Sequence, residues 1–341
     1  MKILITGVHG FVGSNMVKAL SKEHTIYGLD IISPIKDGIR NTFSWDDLDK
    51  EDMIPNVDAI VHLAGKAHDT KNQTESEVYF KVNTGLTQRI FEYFLAHPRC
   101  KKFIFFSTAK AAADKVDGVL TEDVEPSPVG PYGESKIAAE RYILEKFRDE
   151  SSQDSQTRMS DQRSSVEFRD SSGVESKQVY IFRPCMIHGP GNKGNLNLLY
   201  NVVRKGIPWP LGAFENRRTF TSIENICFAV NGVLTQDVPS GIYNMGDDEA
   251  LSTNELIEEI CKSLGKEARI WNLPKGLMNG VARIGGWLHL PLNPERLRKL
   301  TENYVSSNAK IKAALGVDKM PVDARTGLQV TLRSFNEVGK E

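Results

Sequence analysis

The sequence predicts an α/β fold built on a doubly wound parallel sheet, and three observations carry that prediction. Short apolar runs recur through the first half of the chain, at Ile3–Ile5, Ile26–Leu29, Val57–Leu63 and Lys102–Ser107. They have the length and continuity of strands buried on both faces. Segments of helical spacing lie between them, and the first run ends in a glycine turn, Gly7-x-x-Gly10-x-x-Gly13, that opens a helix.

The chemistry begins at that turn. Glycine permits a tight bend with positive φ and lets backbone approach a pyrophosphate closely. The start of the helix that follows, carrying Val17 and Leu20, offers unpaired N–H groups and the positive end of its dipole to an anion. The second run ends in Asp30, which can accept hydrogen bonds from adenosine ribose hydroxyls and repels a 2′-phosphate. Strand, glycine turn, helix, strand and acid together read as a Rossmann-type dinucleotide site that favours NAD over NADP. Without the strand and the acid, the glycines would read equally as packing.

The whole chain sets wider bounds. Its 341 residues suffice for one large domain or two modest ones, and its net charge of −1 points to neither nucleic acid nor an acidic membrane as partner. Cys100, Cys185, Cys227 and Cys261 form no C-x-x-C pair, so neither a metal site nor a disulfide framework is expected. The N-terminus is too short in apolar residues for a signal peptide, and no run approaches the ~18 apolar residues of a membrane span. A cytoplasmic protein with reduced cysteines is the expectation.

After Asp30, the stretch Ile31 to Pro55 reads as mixed and loop-rich, with Asp47 and Leu48 on the surface. Val57–Leu63 is the third strand; His62 reads as a packed strand histidine, and the small residues Ala64-Gly65-Lys66-Ala67 follow. Lys66 and His68 read as loop residues with no role. Val78, Val82, Leu86, Ile90 and Phe94 form one stripe of a helix over Val78–Leu95 that contains Asn83. The fourth strand closes on Ser107-Thr108, a hydroxyl pair at a strand end, where ligands bind in such sheets; turn or cap chemistry is the equal alternative. A proline-rich lead-in, Pro126 to Gly133, then delivers Tyr132, with Lys136 one turn later on the same side of a helix reaching about Phe147.

Residues 149–178 are Ser, Asp, Gln and Arg with few large apolar side chains, and read as a flexible insertion that cannot build a core. Val179–Phe182 resumes the sheet and ends in Arg183-Pro184. A loop, His188 to Asn197 with Lys193, leads to a helix over Leu198–Arg204, then to Arg217-Arg218. Phe220–Leu234 reads as strand then helix, Gly241–Gly246 as strand and turn, Ser252-x-x-Glu255 as a capping box opening a helix to about Leu264, and Ser307–Gly316 as a capped helix.

Taken together, Gly7-x-x-Gly10-x-x-Gly13, Asp30, His62-Leu63-Ala64, Asn83, Ser107-Thr108, Tyr132-x-x-x-Lys136, Arg183-Pro184 and Tyr243-Asn244-x-Gly246 resemble the extended short-chain dehydrogenase/reductases. More narrowly the chain is similar to NAD-dependent nucleotide-sugar epimerases, dehydratases and 4-ketoreductases, and His188–Asn197 with Arg217-Arg218 to enzymes of UDP-N-acetylhexosamines. The resemblance implies a Rossmann domain, assigned to residues 1–184 and 219–246, and a smaller discontinuous α/β substrate-capping domain, assigned to 185–218 and 247–341. It implies Thr108, Tyr132 and Lys136 as the catalytic group. The cofactor-binding set it implies is Gly7, Gly10, Phe11, Val12, Gly13, Asp30, Leu63, Ala64, Gly65, Asn83, Ser107, Tyr132, Lys136 and Pro184. Asn195 and Arg218 would grip the UDP diphosphate, with Arg296 or Arg298 as a second arginine. A homodimer packed through the helices at Val78–Leu95 and Glu134–Phe147 is implied as well.

On this resemblance Tyr132, its phenolate favoured by Lys136 and by the nicotinamide charge, takes the proton of a sugar hydroxyl while hydride passes to NAD. A dehydratase would need an Asp-Glu pair where this chain has Ala109-Lys110. A 4-ketoreductase often prefers NADPH, which Asp30 disfavours, and an NAD-sensing protein has no use for Tyr132 and Lys136. The expectation is a 4-epimerase of a UDP-hexose or UDP-N-acetylhexosamine, with reduction of a UDP-4-keto-6-deoxy-hexosamine as the alternative.

Overall fold

The computed structural model describes residues 1–66, 75–160, 176–192, 194–287 and 292–338. In chain order the elements are β1 (Lys2–Thr6), α1 (Phe11–Leu20), β2 (Thr25–Leu29), β3 (Ile39–Phe43), β4 (Ala59–His62), α2 (Ser76–Tyr79), a π-helical turn (Phe80–Gly85), α3 (Leu86–Ala96), β5 (Lys102–Phe106), α4 (Ala109–Ala112), β6 (Val119–Leu120) and α5 (Pro131–Ser160). They continue with β7 (Gln178–Pro184), β8 (Met186–His188), α6 (Asn195–Arg204), β9 (Phe220–Ser222), α7 (Ile223–Thr235), β10 (Gly241–Met245), α8 (Thr253–Ser263), α9 (Lys275–Trp287), α10 (Pro294–Thr301), β11 (Val305–Ser306), α11 (Ala309–Leu315) and α12 (Ala324–Val338).

Two compact units result: Met1–Asp114 with Glu125–Arg183 and Val233–Tyr243, and Lys115–Val124 with Pro184–Gly232 and Asn244–Glu341. Residues 115–124, 184, 219–232 and 244–246 thus fall in the second unit, whereas the sequence reading assigns them to the first. The reason at 119–120 is pairing: Val119 and Leu120 lie parallel to Val305 and Ser306.

The first unit is organised on a seven-stranded sheet in the order β10-β7-β5-β4-β1-β2-β3. β1 sits between β2 and β4, with Ile3 beside Ile26 on one side and Ala59 on the other, both parallel. The order reverses direction at β1, so the ends of β1 and β4 form the crevice where such sheets take ligands. The inner strands β1, β4, β5 and β7 are mainly apolar because both their faces are covered. Leu4, Ile60, Phe103 and Ile181 pack with Ile90, Phe91 and Phe94 of α3, and the Phe91 and Phe103 rings meet edge to face at 5.0 Å.

The second unit has its own core, in which Tyr200, Leu256, Ile260, Met278, Leu297, Leu328 and Leu332 come together. Its helix α8 opens on the expected capping box, with Ser252 and Glu255 bonding each other's backbone. At its centre Asp247 accepts from Ser222 N (2.9 Å), Ser222 Oγ (3.0 Å) and Asn225 Nδ2 (2.8 Å).

Three sequence expectations need correction. Residues 31–55 are not all loop, since Ile39–Phe43 pairs in parallel with β2 as the sheet edge. An edge strand covered on few sides keeps polar residues such as Arg40 and Asn41, which hid it. The helix over 78–95 is interrupted by the π-helical turn, whose extra residue rotates the buried face. Asn83 and Thr87 are buried in place of the Val82 and Leu86 stripe, and Val78 is exposed. Last, α5 continues to Ser160, so 149–160 of the expected insertion is helical. That segment lacks Gly and Pro, and extending a formed helix needs no core of its own. Residues 161–175, with Ala67, His68 and Lys193, lie outside the described residues. At the far end of the expected insertion, Lys177 Nζ is fixed to the carbonyls of Phe94 (2.7 Å) and Leu95 (2.5 Å).

Candidate active site

The glycine turn is a place where backbone meets backbone. Gly7 has φ +67°, and its N–H donates to Leu29 O at 2.8 Å, tying the turn to β2. A Cβ on Gly7 would stand 2.9 Å from Ala64 N, and one on Gly13 would stand 2.5 Å from Gly7 O and 2.7 Å from Val8 O. No side chain caps α1 at Gly10, and its first turn holds no acid. The leading N–H groups of α1, at Phe11 and Val12, are therefore left for an outside anion. Asp30 is oriented by backbone, Oδ2 accepting from His9 N (3.0 Å) and Oδ1 from Ile31 N (2.7 Å).

Two neighbours here escaped the sequence reading. His9 Nε2 lies 3.1 Å from Thr42 Oγ1, and Lys36 Nζ donates to Ser14 Oγ at 2.6 Å. Burial lowers the His9 pKa, with Asp30 opposing and Lys36 adding to the shift. No spacing in the sequence ties Lys36 or Thr42 to the turn.

At the end of β4 the histidine is packed, as expected. His62 Nδ1 is 2.7 Å from Thr6 Oγ1 and Nε2 is 2.9 Å from Thr87 Oγ1, while the Thr87 hydroxyl donates to Asn83 O at 2.6 Å. Burial, then Lys136, holds the His62 pKa well below its usual value, so the ring is neutral. Thr6 Oγ1 also accepts from Leu63 N (3.2 Å) and Ala64 N (3.0 Å), shaping the strand exit.

The π-helical turn brings Asn83 to that exit. Its Oδ1 accepts from Lys66 N (2.7 Å), and its Nδ2 donates to Ser135 Oγ (3.0 Å) and Lys66 O (3.2 Å). A Cβ on Gly65 would lie 2.9 Å from Asn83 Oδ1 and 3.2 Å from Lys136 Nζ. Gly65, Asn83 and Lys136 are thus in one cluster. Lys136 Nζ donates to Phe106 O at 2.8 Å and sits 4.8 Å from the centre of the Phe105 ring. Tyr132 is hydrogen-bonded to the Thr108 side chain and packs edge to face on Tyr79 at 6.3 Å. Thr108 also caps α4, accepting from Lys110 N at 3.3 Å, so the cap and the cluster share one hydroxyl.

Burial raises the Tyr132 pKa, the Thr108 hydrogen bond lowers it, and Tyr79 raises it. The phenol is protonated at neutral pH. Burial pulls Lys136 down to about 8, and Glu140 raises it against that pull. Glu140, one turn beyond Lys136 on α5, was missed by the sequence reading, although Tyr132, Lys136 and Glu140 share one helix face at spacing four. It is fully buried, accepts from Ser107 Oγ, and forms a bidentate pair with Arg183, Nε to Oε1 at 3.0 Å and Nη2 to Oε2 at 2.5 Å. Ser107 and Arg183 therefore serve Glu140 here.

In the second unit, Asn195 is the exposed first residue of α6 and Pro184 ends β7. Arg218 pairs its backbone with Leu251 and donates through Nη1 to Lys299 O. Burial lowers its pKa and Glu302 opposes that. Arg217 turns instead to Glu255 Oε2 at 2.9 Å on the surface. Arg296 is exposed on α10, and Arg298 Nε lies 4.0 Å from Glu302 Oε2.

A doubly wound sheet, an uncapped glycine turn, a strand-end acid, and Tyr132 with a buried Lys136 one turn apart on α5 fit an extended short-chain dehydrogenase/reductase, with NAD as the cofactor. The chain belongs to the NAD dependent epimerase/dehydratase family, whose description matches residues 3–246. It is 30% identical over 296 residues to the UDP-glucose 4-epimerase of Vibrio cholerae, covering 80% of this chain and 78% of that one. It is 24% identical over 321 residues to the N-acetyl-alpha-D-glucosaminyl-diphospho-ditrans,octacis-undecaprenol 4-epimerase of Escherichia coli O157:H7, covering 91% and 84%. Among solved structures, the UDP-glucuronic acid 4-epimerase from Bacillus cereus with NAD shares the fold, with TM-score 0.71, 20% identity and 99% coverage of both chains.

Proposed function

We propose that this chain epimerises carbon 4 of a hexose carried on UDP, with an N-acetylhexosamine favoured. The observation that carries the reading is the buried cluster in which Thr108 bonds Tyr132 and Lys136 meets Asn83 across Gly65. The Ala109-Lys110 pair that follows Thr108 lacks the acids an elimination needs. The relatives from V. cholerae and E. coli are both named as 4-epimerases, one of UDP-glucose and one of N-acetyl-alpha-D-glucosaminyl-diphospho-undecaprenol.

The first unit fits NAD: the close-packed glycine cradle leaves no room for a Cβ, the α1 N–H groups suit a pyrophosphate, and Asp30 suits a ribose. Bound NAD supplies the hydride acceptor at carbon 4 and returns the hydride. The base is the Tyr132 phenolate: it takes the proton of the 4-hydroxyl, directly or through Thr108, and gives it back when the hydride returns. Burial pulls Lys136 down only to about 8, so it keeps its proton at neutral pH; its charge and that of the nicotinamide would favour the phenolate against the burial that raises the Tyr132 pKa. Asn83 fixes the Lys66 backbone and Ser135, keeping the strand exit and α5 in register. Arg218, partly desolvated, suits a diphosphate, with Asn195 and Arg296 as further contacts. A homodimer packed through α3 and α5 completes the proposal.

The test is incubation with UDP-GlcNAc, UDP-GalNAc, UDP-glucose and UDP-galactose in turn, without reductant, following the sugar protons by NMR. Interconversion at carbon 4 with no net cofactor change is expected. No conversion, together with oxidation of NADH by a UDP-4-keto-6-deoxy sugar, would replace the epimerase with a ketoreductase.

A further inference from the structure

Helix α9 of the second unit has two apolar faces. Met278, Ala282 and Gly285 are its buried side and join the unit's core through Met278 and Ala282. The other side carries Leu277 (54% exposed), Val281 (44%), Ile284 (59%) and Trp287 (80%). At about 100° per residue these four fall within about 120° of the helix surface, a continuous stripe rather than scattered exposure. Single exposed apolar residues need no explanation, but a stripe ending in an almost wholly exposed Trp does.

The charge around the stripe is one-sided. From Lys275 to Glu302 the chain has Lys275, Arg283, Arg296, Arg298 and Lys299 against Glu295 and Glu302, net +3 in a chain whose total is −1, with Lys299 paired to Glu295 at 2.7 Å and Arg298 4.0 Å from Glu302. Every one of these cations except the half-buried Lys299 is exposed. α10, which carries three of them, packs directly on α9: a Cβ on Gly286 would come within 3.1 Å of Pro294 Cδ. The chain-wide charge therefore conceals a basic, apolar-faced segment, and the expectation of no acidic membrane partner was drawn from that average.

We propose that this face of α9, with the cations of α9 and α10, docks on an anionic lipid bilayer surface. The combination is that of an interfacial helix: an apolar stripe to enter the headgroup region, Trp287 at its end, and Lys and Arg around it to meet lipid phosphates. No helix among the described residues is long and apolar enough to cross a membrane, so the contact is a surface one. The inference concerns where the enzyme works and stands whether or not the proposed reaction does.

Co-sedimentation of the full chain with vesicles tests it, using equimolar phosphatidylglycerol and phosphatidylcholine against phosphatidylcholine alone, at low and high salt. Binding to the anionic vesicles is expected to exceed that to neutral ones by more than about tenfold, since each engaged cation contributes about fivefold, and to weaken with salt. Ile284→Glu with Trp287→Glu should lower it by more than about tenfold. Lys275→Glu with Arg283→Glu, both on α9, should lower it without touching the stripe, and carries the test if the first variant fails to fold. Cofactor affinity should be unchanged in both. The proposal is overturned if wild type ignores anionic vesicles or if both variants bind like wild type. It is overturned equally if the stripe variant breaks a dimer that shows no vesicle binding, which would make the face a contact with a second copy.

Discussion

Glu140→Gln separates the architecture of the site from its chemistry. Glu140 and Arg183 are 0% and 1% exposed and joined by a bidentate pair. The amide keeps the shape but removes the charge, leaving a buried guanidinium without its counterion. Breaking one side of such a pair costs about 3–5 kcal/mol, against a total stability of about 5–15 kcal/mol. For a domain the size of the first unit, that is a loss of about 10 °C in Tm. Replacing both partners with Glu140→Gln and Arg183→Met should recover most of it, because the uncompensated charge is gone. The same substitution acts on Lys136. Glu140 raises the Lys136 pKa, so its loss drops that pKa below about 8. The ammonium is then lost from a lower pH upward, and the alkaline limb of activity moves to lower pH. Thermal and urea unfolding of the three proteins, with a pH–rate profile of the single variant, give the readouts. A single-variant cost under about 1 kcal/mol, or a double variant as unstable as the single one, refutes the reasoning.

Other expectations follow from the same geometry. Tyr132→Phe should keep its Tm and NAD affinity but lose about 100- to 10,000-fold in turnover, as measured by the NMR assay; a loss under about tenfold points to another base. Gly13→Ala forces a Cβ to within 2.7 Å of two backbone oxygens, Gly7 O and Val8 O, which cannot swing away as side-chain ends do. Strain of about 1–3 kcal/mol in unfolding experiments, with weakened NAD binding, is expected. Asp30 should make NAD(H) bind far more tightly than NADP(H), and equal affinities in parallel titrations would remove its assigned role.

What the sequence makes legible follows physical signal strength. β1, the glycine turn and α1 can be read because continuous apolar residues, fixed glycine spacing and helical periodicity agree over a short stretch. Tyr132 and Lys136 can be read because an α-helix puts residues four apart on one face. The same rule reaches Glu140, but a buried carboxylate looks like a surface one until Ser107 and Arg183 are brought to it by the sheet. β3 is hidden because an edge strand carries polar residues. The length of α5 is hidden because composition reports on core formation and says little about a helix that is merely extended. Lys36, Thr42 and His9 meet only through the fold. The stripe on α9 has a helical period that is plain once the helix is placed, but its exposure is a property of packing.

The π-helical turn at Phe80–Gly85 makes chain length itself a functional variable. Its one additional residue turns everything upstream of it by about 100° relative to everything downstream. Tyr79, which packs on Tyr132, lies before the turn, and Thr87, which holds His62, lies after it. Excising one residue inside the turn would heal the helix into a regular one and leave every side chain chemically intact. The two halves would then be out of phase, with the tyrosine contact and the histidine contact no longer obtainable from the same helix. Sequence comparisons across this segment are therefore best read for a one-residue gap as well as for substitutions, since the gap alone separates chains that carry the turn from chains that do not.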